Sequence, residues 1–374
     1  MADDAPAALA DLQQRLATVA QAAPADRQLL RARLVDALAH PALTVRALAA
    51  VGLGRLGDER TVVPLLHALH DPAPLVQWQA AHALRALHRY GLVSAERLSF
   101  QDDRRFEQWK AARLDHLREQ LTHGLSDGRA EAAYSLATIG VGTTLPWLLD
   151  ALADEDAMVR AAVAQAVLTL VAADATLYEP AQQGSSRLLR HGDPDWRCTG
   201  ADLLGRLGRR SAVANLLPLL HDADAGVRCC VCTALGAIGD PRSVDPLIGR
   251  LADDDPWVRR GSADALGRLG DPYAVPSLVQ VIGDEQPLVR QGVIGALVRI
   301  GGPAVEPALI RALGDPEAAT RLAVVQGLAA VGAAAALRPL AGLVRDRAGG
   351  GTTTVGQAAR AARQAIRERL NRKE

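Results

Sequence analysis

The sequence predicts an all-α fold, a right-handed α-solenoid of about nine stacked helical hairpins. Three observations carry that expectation. Residues 269–301, LGDPYAVPSLVQVIGDEQPLVRQGVIGALVRIG, nearly restate IGDPRSVDPLIGRLADDDPWVRRGSADALGRLG, which begins 31 residues earlier. Apolar residues make up 49% of the 374 residues and aromatics only 3%, so a continuous core must be built from Ala, Leu and Val. Within each copy the apolar residues recur at helical spacing.

The period follows from the Val-Arg pair. Its arginine falls at Arg46, then at Gln77 in place of Arg, and at Arg129, Arg160, Arg197, Arg228, Arg259, Arg290 and Arg321. The spacings are 31 residues except for 52 after Gln77 and 37 after Arg160, which places insertions of 21 and 6 residues. Self-similarity at a fixed period marks units that bury their apolar faces by stacking on neighbours.

The first helix of each unit carries the anchor. Seven residues on stands an aliphatic such as Leu53, Leu136, Leu204, Leu266 or Leu297, and three later another such as Leu56, Ile139 or Ile300. Gly57, Gly140, Gly208, Gly239, Gly270, Gly301 and Gly332 share the next offset, where a left-handed cap can end the helix. Asp58, Asp240 and Asp271 follow as turn or N-cap residues. A second helix is predicted with Pro64, Pro146, Pro246, Pro276 or Pro307 in its first turn, where the missing N–H is tolerated. It closes at Asp71, Asp154, Asp222, Asp253, Asp284 or Asp315, six residues before the next anchor. Each unit thus reads as two antiparallel helices of roughly three turns each.

With Asp253 six residues before Arg259, Val258 beside it, and Ala265-Leu266-Gly267-Arg268-Leu269-Gly270-Asp271 behind, the unit resembles the HEAT repeat. The 31-residue form is similar to that of phycobilisome-lyase-type proteins. The resemblance covers about residues 40 to 345. It implies an inter-repeat ladder of Asp and Arg, a concave surface lined by the Val-Arg helices, and a scaffold or adaptor role. The expected organisation is N-terminal capping helices over 1–40, a solenoid over 41–345 with insertions near 89–126 and 172–192, and a linker with a C-terminal capping helix over 346–374.

Forty-two basic and 42 acidic residues cancel, which argues against a general nucleic-acid binder. No signal-peptide segment and no run of 18 apolar residues is present, so a cytoplasmic protein without membrane insertion is expected. P-loop, GxSxG and HExxH motifs are absent, as is the His-Glu dipeptide that HEAT-repeat hydroxylases use to hold iron. No enzyme activity and no cofactor are expected. The candidates for a metal or chromophore thiol are Cys198, Cys229, Cys230 and Cys232. Helices packed about 8 to 10 Å apart argue against a Cys198–Cys229 disulfide. Cys232 also fills a slot held by Ala50, Ala164 or Ala263 elsewhere, so no metal is expected.

Candidate binding residues come from the helical wheel, which directs offsets +1, +5, +8 and +9 from the anchor away from the core. These give Trp78, His82, Arg85 and Tyr134 toward the N-terminus and an arginine stripe of Arg206, Arg268 and Arg299 toward the C-terminus. Asp202 and Asp264 stand four residues before Arg206 and Arg268, the spacing of a helix-surface ion pair, whereas Gly295 leaves Arg299 without one. The larger insertion adds Phe100, Phe106 and Trp109, and a helix from about Asp103 to His123 is an equal alternative to a binding loop there. The expected function is a non-enzymatic protein-binding scaffold, with an acidic segment of a partner protein as the simplest ligand for the stripe. A chromophore-attachment factor and a nucleic-acid binder are the alternatives. The sequence leaves the oligomeric state open.

Overall fold

The computed structural model describes residues 10–14, 16, 24–89, 92–93, 103–139, 142–349 and 353–372. The described residues form helices, turns and short connections without a β-strand, an all-α solenoid of stacked hairpins. They fall into two compact bodies, Met1–Leu177 and Tyr178–Glu374.

In the first body the Val-Arg helices are Leu43–Leu56, Pro74–Arg89, Ser126–Ile139 and Ala157–Ala173, and in the second Pro194–Leu207, Ala225–Ile238, Pro256–Leu269, Pro287–Ile300 and Ala318–Val331. Most start at an acidic cap. Asp156, Asp193, Asp224 and Asp255 each accept a hydrogen bond from a backbone N–H of the first turn. Gly57, Gly208, Gly239 and Gly270 end their helices in the left-handed conformation, with φ from 63° to 71°. Gly332 departs from the expectation. It is extended, with φ −66° and ψ 151°, and the chain leaves that helix without a left-handed cap.

Outside the two insertions, the second helix of each hairpin is shorter than the three α-turns expected. In the repeats of Arg46, Arg228 and Arg259 it is a 3₁₀ turn followed by Val62–Ala68, Val244–Arg250 or Val275–Gln280. The aspartate before the turn sets this. Asp58, Asp240 and Asp271 cap Arg60, Arg242 and Tyr273 with their carboxylates, while their carbonyls accept from Thr61, Ser243 and Ala274, an i to i+3 closure. In the Arg197 repeat the α-helix lasts only from Val213 to Leu216 and reverts to 3₁₀ at Leu217–His221, because Pro218 lacks the N–H the helix needs.

Over the described residues, both insertions contribute helix. The larger includes the helix Asp103–His123, which buries Leu117 and Leu121. The 6-residue insertion lengthens its hairpin: Ala157–Ala173 has 17 residues where most Val-Arg helices have 14, and Tyr178–Leu188 has 11. At the other end, helix Val355–Asn371 opens with a Thr354/Gln357 capping box and buries Val355, Ala359, Ala362 and Ile366.

A ladder of ion pairs runs along the hairpins. Arg46, Arg129, Arg197, Arg228, Arg259, Arg290 and Arg321 each donate from Nε to the aspartate 25 residues on, at 2.6 to 2.9 Å. From Arg46 through Arg290 a second bond, from Nη2, makes the pair bidentate. Nη1 of Arg228, Arg259, Arg290 and Arg321 turns back to the carbonyl of the preceding ladder aspartate. Each aspartate also accepts a hydrogen bond from the backbone amide two residues on, as Asp253 Oδ1 does from Asp255. Burial pushes the Asp222, Asp253 and Asp284 carboxyls up, and the arginines more than offset it, leaving all three below the usual carboxylate range. Gln77 reproduces the backbone half of the motif, donating to the Asp71 carbonyl.

Candidate functional site

Close helix approach decides which surface is left for binding. An ideal Cβ on Gly205, Gly236 or Gly267 would stand 2.7 Å from the Cα of Ala234, Ala265 or Ala296 in the next Val-Arg helix, and one on Gly54 would stand 2.6 Å from the Cβ of Ala83. Only glycine lets these backbones meet so tightly. Offset +8, expected in the groove, is therefore an inter-helix contact, and Gly205, Gly236 and Gly267 are buried. On a wheel of about 100° per residue it lies near 80°, on the flank, whereas +5 and +9 lie near 140° and 180°. Those two offsets are the open face. Arg206, Ala237, Arg268 and Arg299 at +9, and Asp202 and Thr233 at +5, are exposed.

In the C-terminal body the expected charge pairing is rearranged. Arg206 keeps its helix neighbour, 3.5 Å from Asp202. Asp264 does not pair with Arg268. It accepts 3.0 Å from Arg299 Nη2 of the next repeat, and Arg260 Nε sits 3.6 Å away on the other side. Arg299, expected without an acid, crosses the helix junction because Gly267 leaves its guanidinium room over the neighbouring backbone. Of the three stripe arginines, Arg268 makes no ion pair among the described residues, and it is exposed. Three turns away on the same helix lies a residue that the wheel missed. Trp257 is 57% exposed at offset −2, stacked by Arg260 at 5.9 Å. Its signal was a large aromatic in the first turn of the helix, an offset where Asp195 and Gly226 stand in the preceding repeats. Tyr273 is 66% exposed in a 3₁₀ turn.

In the N-terminal body, Trp78 and His82 stack with ring centroids 5.8 Å apart and planes 10° apart. Lys110, from the inserted helix, lies over the Trp78 ring at 5.8 Å, and Arg118 of the same helix covers Trp147 at 5.1 Å. Trp78 is thus half-buried beneath the insertion, while His82 and Tyr134 are exposed. Arg85, at the flank offset +8, is half-buried rather than groove-facing. Phe100 lies outside the described residues, as do the side chains of Phe106 and Trp109.

The four cysteines are unbridged. Among the described residues no group of three or more His, Cys, Asp or Glu side chains is placed to hold a metal ion, and no helix is long and apolar enough to cross a membrane. A polar cleft of about 790 Å³ lies where the 6-residue insertion lengthens Tyr178–Leu188, lined by Glu179, Gln182, Ser186, Arg187 and Asn215. Sequence reasoning placed the insertion but not the cleft.

A family model described as HEAT repeats matches residues 30–99, 114–176, 185–266 and 245–305, more than half of the chain. The protein belongs to the HEAT-repeat family. Among solved structures, this HEAT-repeat chain is similar to Kap121p bound to Ste12p, at 12% identity and a TM-score of 0.57 over 91% of its length and 41% of that chain. It is also similar to Kap95p in its complex with RanGDP, at 12% identity and a TM-score of 0.54 over 95% of its length and 55% of that chain. It therefore spans about half the length of these larger proteins, and the likeness shows the fold alone. The CpcE–CpcF phycocyanin lyase of Nostoc sp. PCC7120 matches at 25% identity over 40% of the HEAT-repeat chain and 98% of that chain, with a TM-score of 0.36, which assigns no lyase subtype. No curated protein matches the sequence.

Proposed function

We propose that this HEAT-repeat protein is a non-enzymatic scaffold that binds an acidic segment of another protein across the open face of its C-terminal Val-Arg helices. One observation carries the reading. The ladder consumes the anchor arginines inside the fold, and Arg268 is left exposed without an ion pair at the C-terminal end of the helix whose first turns carry the exposed Trp257 and its Arg260. Exposed Arg and Trp on one helix are the residue types that recur at protein-binding hot spots, and a guanidinium grips carboxylates bidentately. Arg206 and Arg299 extend the stripe, the first 3.5 Å from the exposed Asp202 and the second 3.0 Å from the half-buried Asp264. Such pairs are worth about 0 to 1 kcal/mol and yield readily to a competing carboxylate.

The relatives favour the same class of ligand, since Kap121p and Kap95p are named in complexes with the proteins Ste12p and RanGDP. Zero net charge favours protein over nucleic acid, and the chromophore-attachment alternative gains no supporting geometry. The test is affinity capture from the native cell by the wild type and by a variant with Arg206, Arg268 and Arg299 changed to Glu, followed by mass spectrometry. A protein retained by the first and lost from the second supports the reading. Identical sets retained by both oppose it.

A further inference from the structure

A second site lies where the helices Pro194–Leu207 and Ala225–Ile238 meet. The stacking register is constant along this body. Offset +8 of one Val-Arg helix lies on offset +6 of the next, and offset +1 lies on offset +2. Two glycines at +2 show how near that second contact is. An ideal Cβ on Gly261 would stand 3.4 Å from Cys229 Sγ, and one on Gly292 would stand 3.8 Å from the Cα of Arg260. Cys198 occupies +1 and Cys230 occupies +2 of the following helix. The register therefore opposes these two residues across the helix junction, the close side-by-side placement that a disulfide, with Cβ atoms about 3.5 to 4.5 Å apart, needs. The two thiols are near enough to shift one another's proton affinity, and both are half-buried rather than sealed. The bridge weighed from sequence alone, Cys198 to Cys229, joins two residues at the same offset and is not the one the register brings together.

We propose that Cys198 and Cys230 form a reversible inter-repeat disulfide when the protein meets a peroxide. The Cys198 thiol favours the Cys230 thiolate, against burial and the nearby Asp202, Asp224 and Asp195, and correspondingly holds its own proton in place. Cys230 is thus the sulfur that attacks a peroxide oxygen, breaking the O–O bond, expelling hydroxide and becoming a sulfenic acid. The Cys198 sulfur then displaces that oxygen as water while its proton leaves. Two S–H bonds break and one S–S bond forms. The two electrons and two protons released convert one hydrogen peroxide into two waters. The other thiols are poorer participants. Cys232 is wholly buried, which pushes its thiol up to about 12, and burial also raises Cys229, which lies against the next helix.

The experiment treats the full-length protein with hydrogen peroxide, alkylates the remaining thiols, and maps peptides without reduction. Two of the four thiols should be lost, with a Cys198–Cys230 linked peptide that dithiothreitol releases. The same peptide should form when Cys229 and Cys232 are both changed to Ser, and Cys230→Ser should abolish it. Four thiols still alkylated after peroxide, a Cys229–Cys232 link, or a link between molecules would each overturn the proposal.

Discussion

Gly236 rests against Ala265 so closely that a Cβ placed on it would stand 2.7 Å from the Ala265 Cα and 2.8 Å from its Cβ. The same contact recurs between Gly205 and Ala234 and between Gly267 and Ala296, and it sets the spacing of the Val-Arg helices. Gly236→Ala gains about 1 kcal/mol of helix propensity and incurs about 1 to 3 kcal/mol of overpacking against backbone. Overpacking should win. Urea unfolding should show net destabilisation, and Gly236→Ala combined with Ala265→Gly should recover part of it. A Gly236→Ala variant more stable than the wild type would contradict the close-contact register.

The ladder predicts a specific sensitivity to acid. Asp222, Asp253 and Asp284 are held below the usual carboxylate range in the fold, so the unfolded chain takes up protons first as pH falls. Their contribution is fully present above the unfolded value of about 3.9 and is lost as pH drops through the lower folded values. Stability against urea should be flat from neutral pH down to about 5 and then fall below about 4. Asp253→Asn, which leaves the half-buried Arg228 facing a neutral amide, should cost about 2 to 3 kcal/mol at neutral pH and flatten that fall. An acid limb as steep in the variant as in the wild type would remove Asp253 from the ladder's account.

Leu266 is fully buried in the core shared by neighbouring hairpins. Its replacement by Ala should cost about 2 to 5 kcal/mol. Because each repeat leans on its neighbours, hydrogen exchange should quicken most in Pro256–Leu269 and the adjoining helices and fade with distance. Uniform quickening along the whole body would contradict stacking as the unit of stability.

Sequence pattern reached the hairpins, the glycine caps and the inserted helix Asp103–His123 because those depend on spacing within one helix. It missed what depends on how one helix sits on the next. The wheel placed offset +8 in the groove because it treats a helix as isolated, whereas Gly205, Gly236 and Gly267 are where two backbones touch. Asp264 was assigned to Arg268 four residues on, and it bonds instead to Arg299 across 35 residues of chain. Cys198 was compared with its equivalent Cys229, while the register offsets the contact by one and delivers Cys230. The Arg-to-Asp ladder was foreseen only through the family resemblance, since nothing in the linear spacing reveals that residues 25 apart will meet.

That rearrangement ranks the stripe. Arg299 spends part of its charge on Asp264, whereas Arg268 has no ion pair among the described residues. Arg268→Ala should weaken binding of an acidic partner more than Arg299→Ala, by about tenfold or 1.4 kcal/mol, with an unchanged melting temperature. Trp257→Ala should also weaken it, by removing the exposed indole at the other end of the same helix.

The most direct measurement is a titration of the captured partner against the wild type and Arg268→Ala at two salt concentrations. Binding through an exposed guanidinium predicts that raising salt weakens the wild type more steeply than the variant, and that the variant is the weaker binder at low salt. Equal affinity and equal salt dependence for the two proteins would place the partner elsewhere on the molecule and contradict the proposed binding face.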